Sequence, residues 1–383
     1  MYLNIIWSHK TCKTPQSDTL YLSLKDINHL ERIYTKYKLI PESFDEVRIN
    51  YLADRNQLIR FIIKELDILL KPGGKFIINS TYSNTHGNFI RSTSQIKHEY
   101  SISTNGRYRL VNENIDKLKF TLEYIKEKKT LERNDTIDKW SFGIITNGNK
   151  NEKIVEIIDS IVAQNIPKYE IIICGHFTYA NTDKLPIQVI PDIILKNDLR
   201  APITLKKNNI ARVAVFNNLM IVHDRYLLPN DWYQKMKNYG NYFDILAFPN
   251  IGENGGRVND WGLFSVKPSQ IGYNISYQIP YNKWTEFFYA QGGLLLIKKN
   301  LFELNNLDSR LFWGELEDVQ FSQKANLNGL FYYFDVNNKI YTFSGRLKES
   351  NYSSNLSSIR SNLKFLYFWC KNYINYYINF FNA

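Results

Sequence analysis

The chain has 383 residues, enough for two domains that each bury a core. Its three cysteines, Cys12, Cys174 and Cys370, are too scattered for a disulfide framework or a cysteine zinc site, which points to a reducing, cytoplasmic setting. The 48 Lys and Arg outweigh 37 Asp and Glu and leave a net charge of +11. That excess favours anionic partners (nucleotide sugars, phosphorylated glycans, acidic lipid headgroups or nucleic acid), unless it only reflects a lysine-rich solvated surface.

Residues 1 to about 130 alternate strand-like and helix-like segments. Met1 to His9 lacks a basic region followed by a long apolar run, so no secretory signal is expected. No stretch of about 18 apolar residues occurs anywhere, so no membrane-spanning helix is expected. Tyr2 to Trp7 and Thr19 to Leu24 read as strands. Arg55 to Leu70 carries Leu58, Ile59, Phe61, Ile62, Ile63, Leu66, Ile68, Leu69 and Leu70 at helical spacing. Lys71-Pro72-Gly73-Gly74 should stop that helix, and Lys75 to Asn79 should follow as a short strand. Tyr124 to Lys139 is dense in charge and reads as a helix end and a linker.

A second zone begins near Trp140. Ser141 to Thr146 reads as a strand, Asn147-Gly148-Asn149 as a turn, and Glu152 to Gln164 as a helix. That helix buries Ile154, Val155, Ile157, Ile158, Ile161 and Val162. Glu170 to Cys174 is the next strand, ended by Gly175. Strand, helix and strand make a βαβ unit and predict a parallel sheet. Ligands bind beyond the carboxyl ends of such strands, so Thr146, Asn147, Gly175 and His176 mark a candidate ligand edge. A helix from about Lys207 to Val215 leads to the strand Leu219 to Val222, whose end delivers Asp224. After Asn250 the pattern weakens into a loop-rich mixture of Gly, Asn and aromatic residues.

The tail from about Ser350 repeats Leu363, Leu366, Cys370, Tyr373, Tyr377 and Phe380 at spacings of three and four, with Arg360, Lys364 and Lys371 adding positive charge. It reads as a terminal amphipathic helix packed on the second domain or on another subunit; a membrane-surface helix is the alternative.

Two carboxylate sites could carry chemistry. Asp224, at a strand's carboxyl end between His223, Arg225 and Tyr226, could hold Mg²⁺ or Mn²⁺ against a diphosphate, or merely cap a turn. Glu317 and Asp318 follow Phe312-Trp313-Gly314-Glu315-Leu316. One could take a proton from a sugar hydroxyl while the other orients it, and their repulsion could raise one pKa. Trp313 offers an apolar face for a sugar ring. The same acids would also suit a solvated helix start. Gln291-Gly292-Gly293, before the strand Leu294 to Ile297, would let a ligand approach the backbone closely. His29, His86 and His98 read as ordinary polar residues.

These segments, in this order, resemble glycosyltransferases with the glycosyltransferase-A fold over about residues 140–345. The likeness rests on Phe142-Gly143-Ile144-Ile145-Thr146-Asn147-Gly148, the run Ile161 to Ile173, Lys206-Lys207-Asn208-Asn209-Ile210-Ala211, Val222-His223-Asp224-Arg225-Tyr226 and Trp313-Gly314-Glu315-Leu316-Glu317-Asp318. It is nearest to the family-2 and galactosyltransferase-like enzymes. The resemblance implies that Thr146 and Asn147 border the nucleotide base and that Lys207 and Asn208 lie near the donor. It implies that Asp224 is the metal-binding aspartate, with His223 beside it, and that Asp318 is the base of an inverting displacement. The family's Asp-X-Asp is His223-Asp224-Arg225 here, so Arg225 could replace part of a cation's charge.

The first 130 residues resemble S-adenosylmethionine-dependent methyltransferases. Phe44-Asp45-Glu46-Val47-Arg48-Ile49 and Leu69 to Ile78 look like that fold's fourth and fifth strands with the helix between. Asn4-Ile5-Ile6-Trp7-Ser8 stands where a glycine-rich turn should be, so a degenerate domain without S-adenosylmethionine is expected.

The sequence thus predicts two Rossmann-like α/β domains, at residues 1–130 and 139–349, with a helical tail at 350–383. The second is expected to have a mixed, mainly parallel sheet. The expected activity is transfer of a sugar from a nucleotide-sugar donor, foremost a UDP-sugar, to a glycan or glycolipid acceptor. A divalent cation is expected as cofactor and nucleic acid is not expected as partner. Peripheral membrane contact or homo-oligomerisation would run through the tail. The alternatives are a bifunctional methyltransferase–glycosyltransferase and a non-enzymatic nucleotide- or glycan-binding module.

Overall fold

The computed structural model describes residues 2–6, 12–13, 19–23, 27–50, 58–81, 93–116, 119–130, 135–178, 185–193, 200–266, 273–276, 278–285 and 287–343, with 363, 366, 367 and 370. The fold is mixed α/β. The chain divides into two compact units, Met1–Arg133 with Asn328–Phe331, and Asn134–Leu327 with Tyr332–Ala383.

The first unit runs β1 (Tyr2–Ile6), β2 (Cys12–Lys13), β3 (Thr19–Ser23), α1 (Ile33–Lys36), β4 (Phe44–Asn50), α2 (Ile59–Leu69), β5 (Leu70–Thr81), α3 (Thr93–Ser103), β6 (Tyr108–Asp116) and β7 (Lys119–Lys126). Its seven-stranded sheet has the order β2-β3-β1-β4-β5-β7-β6. Strands β3, β1, β4 and β5 pair in parallel, and β7 runs antiparallel to both neighbours.

Helix α2 is buried along its whole length, including four charged residues. Each finds a partner, as buried charge requires. Arg60 meets Glu99 at 2.9 Å, and Lys64 Nζ donates to the Ser103 carbonyl at 2.8 Å. Glu65 accepts from Arg32 Nε and the Ile33 amide, both at 2.7 Å. Asp67 pairs with Arg107 and accepts from Tyr108 Oη at 2.8 Å.

Two expectations need correction here. The helix ends at Leu69, with Leu70 already extended, so the proline and glycines lie inside β5. There Gly73 takes φ +82°, and the β4–β5 register slips between Phe44 and Glu46. Tyr124 to Lys126 end a strand, not a helix. In β7, Phe120, Leu122, Tyr124 and Lys126 alternate inward with period two. Lys126 reads as a linker charge, yet its ammonium is buried and donates to the Asp67 and Leu70 carbonyls at 2.6 and 2.7 Å.

The second unit runs β8 (Lys139–Ile145), α4 (Asn151–Val162), β9 (Lys168–Cys174), β10 (Ile187–Ile190), α5 (Ile203–Val213), β11 (Asn218–His223), β12 (Tyr226–Leu227), α6 (Trp232–Tyr239), β13 (Ile245–Ala247) and β14 (Asn250–Ile251). It continues with β15 (Trp261–Val266), β16 (Tyr273–Ser276), β17 (Phe288–Ala290), β18 (Leu294–Lys298), α7 (Lys299–Leu304), α8 (Glu317–Leu327), β19 (Tyr332–Phe334) and β20 (Ile340–Thr342). The main sheet has the order β10-β9-β8-β11-β18-β13-β19. All its pairings are parallel except those of β18, which is antiparallel to β11 and β13. The expected mixed, mainly parallel sheet is therefore present.

The region after Asn250 is more regular than its sequence suggests. It supplies strands to two three-stranded sheets, β12-β20-β14 and β16-β15-β17. Trp261 packs on Phe288 and Phe334, with ring centroids 4.4 and 5.0 Å apart, and such distant aromatic partners leave no local periodicity. Of the tail, Leu363, Leu366, Tyr367 and Cys370 are helical; the rest of the amphipathic pattern, including Tyr373, Tyr377 and Phe380, lies outside the described residues. Among the described residues no helix is long and apolar enough to cross a membrane.

The topology places the functional edge. Register pairs Ile145 with Cys174 and with His223, and Val222 with Leu294. The carboxyl ends of β8, β9 and β11 thus meet the amino end of β18. Far from this edge, Lys298 closes β18: its ammonium donates to Asp135 Oδ1, Asn218 Oδ1 and Asn241 Oδ1 at 2.8, 2.7 and 2.9 Å. Lys298→Met should destabilise the second unit by about 3–5 kcal/mol, because Asp135 is left buried without its cation. Tryptophan fluorescence during urea unfolding reads this, since all seven tryptophans except Trp7 lie in that unit. An unchanged midpoint would contradict it.

Candidate active site

Thr146 follows β8 and Asp224 follows β11, and the register of those strands brings them together. Thr146 Oγ1 donates to Asp224 Oδ2 at 2.9 Å and accepts from the Gly148 amide at 3.0 Å. The Thr146 carbonyl accepts from Lys206 Nζ at 2.7 Å, and Lys206 pairs with Asp192 at 2.6 Å. Gly175 closes against this turn with φ +136°; a Cβ there would lie 2.3 Å from the Thr146 carbonyl oxygen. Only glycine fits.

A second cluster centres on Gly292 and Gly293, just before β18. The Gly292 carbonyl accepts from Lys207 Nζ at 2.7 Å, and its amide donates to Asp318 Oδ2 at 2.9 Å. Asp318 Oδ1 accepts from the Val319 amide at 2.8 Å. The Gly293 carbonyl accepts from the His223 amide at 3.0 Å, which ties this cluster to the end of β11. Neither glycine has space for a side chain. A Cβ on Gly292 would lie 2.9 Å from Glu317 Oε1, and one on Gly293 would lie 2.5 Å from Tyr226 Oη and 2.9 Å from Arg225 Nη2.

The charges here are interdependent. Lys207 and Glu317 are buried and stand 3.8 Å apart. Burial pushes the Lys207 ammonium below its ordinary range, while Glu317 and Asp318 hold it up. Burial raises the Glu317 carboxyl, opposed by Lys207 and reinforced by Asp318. Burial also pushes His223 well below 6.5, helped by Lys207 and Arg225. The Arg225 guanidinium lies 5.5 Å from the Tyr226 ring.

Asp224, Thr146, Lys207, Arg225, Gly292, Gly293, Glu317 and Asp318 are therefore gathered around one sheet edge. The other expected site residues stand differently. Asn208 is occupied by the 307–309 loop: its amide donates to the Leu307 carbonyl at 2.9 Å and its Oδ1 accepts from the Leu307 amide at 3.1 Å. Asn147 caps its own turn by accepting from the Asn149 amide at 3.1 Å. His176 is 71% exposed and 3.9 Å from Asp192. Trp313 is 59% exposed, and its amide donates to the Ala201 carbonyl at 3.1 Å. Its loop takes left-handed backbone at Gly314 (φ +85°) and Leu316 (φ +61°). An open cavity of about 620 Å³ lined by Leu227, Pro229, Gly252, Glu253, Tyr341 and Phe343 includes none of Asp224, Glu317 or Asp318.

Sequence reasoning passed over Asp192 and gave Lys206 no role of its own. Asp192 was detectable, because it follows β10 just as Asp224 follows β11. Lys206 carries no local signal.

A divalent cation fits this donor set poorly. Hard dications need several converging oxygen or imidazole donors. One Asp224 oxygen already accepts from Thr146, and His223 sits in the repulsive field of Lys207 and Arg225. Among the described residues no three His, Cys, Asp or Glu side chains converge.

The buried imidazole gives a pH signature. His223 stays neutral in the folded chain below the pH at which the unfolded chain protonates it. Stability should therefore fall as pH drops below about 6.5 towards the lower folded value. His223→Gln should flatten that slope, read by urea unfolding at pH 7 and pH 5. Equal slopes for both proteins would contradict it.

No family model matches the chain, and no curated protein matches it. Among solved structures the chain is similar to S. aureus TarS 1–349, with 16% identity over 54% of this chain and 60% of that chain, at a TM-score of 0.39. It is similar to TarS 1–349 solved with UDP-GlcNAc, with 17% identity over 56% and 62% of the two chains, at 0.39. It is also similar to GalNAc-T7 solved with UDP, GalNAc and Mn²⁺, with 15% identity over 54% and 43%, at 0.40. These neighbours are glycosyltransferases, and the chain spans less than two thirds of the length of each.

Proposed function

We propose that the second unit is a glycosyltransferase of the glycosyltransferase-A fold that moves a sugar from a nucleotide-sugar donor to a glycan acceptor with inversion. The observation that carries this reading is the hold on Asp318. Each of its oxygens accepts one backbone N–H, from Gly292 and Val319, and keeps a second lone pair for a substrate hydroxyl. The carboxylate is thus fixed in direction, which a positioned general base requires. Two cations, Lys207 and Arg225, lie within electrostatic reach of the same edge, where a diphosphate leaving group would gather negative charge. The strand order of the main sheet, with β18 reversed between β11 and β13, supports the fold assignment.

In this mechanism the acceptor hydroxyl gives its proton to Asp318. Its oxygen forms a bond to the donor's anomeric carbon from the face opposite the leaving group. The bond from that carbon to the diphosphate oxygen breaks, and the electron pair leaves on the phosphate. Thr146 and Asp224 form the floor beneath the nucleotide. Glu317, buried against Lys207, sets the position of that ammonium, and Trp313 offers its exposed ring to the acceptor. Asn147, Gly175 and His176 border the nucleotide at the same strand ends.

The first unit we propose to be methyltransferase-like and without cofactor. Supporting this are four parallel strands, β3-β1-β4-β5, followed by an antiparallel β7 between β5 and β6. Calorimetric titration with S-adenosylmethionine should show no heat of binding; a saturable isotherm would contradict it.

Asp318→Asn should lower kcat by about 10²–10⁴-fold while leaving nucleotide binding within error. A nucleotide-sugar screen read by thermal shift identifies the donor, and steady-state kinetics then give kcat. Near-native turnover in the variant would remove Asp318 as the base. Nucleotide binding by a wild-type protein that never transfers or hydrolyses the sugar would favour a binding module instead.

A further inference from the structure

The cluster at the end of β11 holds more unpartnered nitrogen than a structural role explains. Arg225 Nε and His223 Nε2 are both shielded from solvent and have no hydrogen-bond partner. Buried polar atoms are otherwise almost always paired, and an unmade bond costs about 1–3 kcal/mol. Both atoms belong to residues flanking Asp224. Arg225 Nη2 lies beside Gly293, where a Cβ would be 2.9 Å from it, and its guanidinium carbon lies 5.5 Å from the Tyr226 ring. Lys207 uses one of its three N–H donors on the Gly292 carbonyl.

We propose that Arg225, with Lys207 and His223, binds the diphosphate of the nucleotide directly and takes the place of a divalent cation. This rests on the sugar-transfer reading of the same site. A guanidinium matches phosphate oxygens through its planar fork and stays charged at every working pH. His223, kept neutral beside two cations, offers one N–H without adding a third charge. The pair of cations balances a diphosphate group's charge as a dication would. Asp224 then serves as acceptor for Thr146 and as counter-charge to Arg225 rather than as a metal ligand. On bond cleavage the electron pair arriving on the β-phosphate oxygen is met by groups already aligned, and no metal enters the balance.

The test is calorimetric titration of the full chain with UDP and with GDP, each in EDTA and in Mn²⁺. The inference expects one of them to bind with dissociation constants that agree within about threefold in the two conditions. Arg225→Gln should weaken that binding in EDTA by more than about tenfold, a difference of about 1.4 kcal/mol. Arg225→Lys, which keeps the charge and loses the fork, should fall between. Melting curves for both variants confirm that they fold. Binding that appears only with Mn²⁺ overturns the inference and leaves the sugar-transfer reading standing. So does unchanged affinity in folded Arg225→Gln. Absence of binding by either nucleotide in both conditions overturns the inference together with the reading beneath it.

Discussion

The candidate site depends on one steric constraint, the missing side chains at Gly292 and Gly293. The backbone there passes so close to Tyr226, Arg225 and Glu317 that a single methyl group would collide with each. That closeness lets one residue, Gly292, serve two masters. Its carbonyl fixes Lys207 from α5, and its amide fixes Asp318 from α8. Because β18 is antiparallel to β11, the same glycines meet the polar end of β11 rather than its start. Remove the close approach and the Asp318 carboxylate and the buried Lys207 ammonium lose their common anchor.

Both units bury charge, and they do so differently. In the first, Asp67, Glu65 and Lys126 are surrounded by partners that answer each polar atom, so the network rigidifies α2 against its sheet. Lys298 in the second unit follows the same rule with three acceptors. At the end of β11 the rule is relaxed: His223 and Arg225 keep unanswered N–H directions. Under the proposed function, these unanswered directions are where a ligand's oxygens would be met.

Much of this was legible in the sequence. Apolar runs that end abruptly in polar residues located the carboxyl ends of β8, β9 and β11, and hence Thr146, Gly175 and Asp224. The pair Glu317-Asp318 was visible as a helix start with possible chemistry, and the helix start is found, since α8 begins at Glu317. What the sequence concealed depends on distant pairing. Strand β7 was hidden because Lys126 is a charge facing inward. Strands β15 and β17 were hidden because their packing partners, Phe334 and Tyr332 among them, come from β19. The division of labour within Lys206-Lys207, one lysine to the Thr146 turn and one to Gly292, arises only once α5 lies across the sheet.

The most direct measurement is a crystal structure of the chain with its donor nucleotide bound. The account predicts phosphate density within hydrogen-bond distance of Arg225 at the end of β11, with the Asp318 carboxylate open towards the sugar side. Density seated elsewhere in the second unit, with Arg225 and Asp318 untouched, would contradict it.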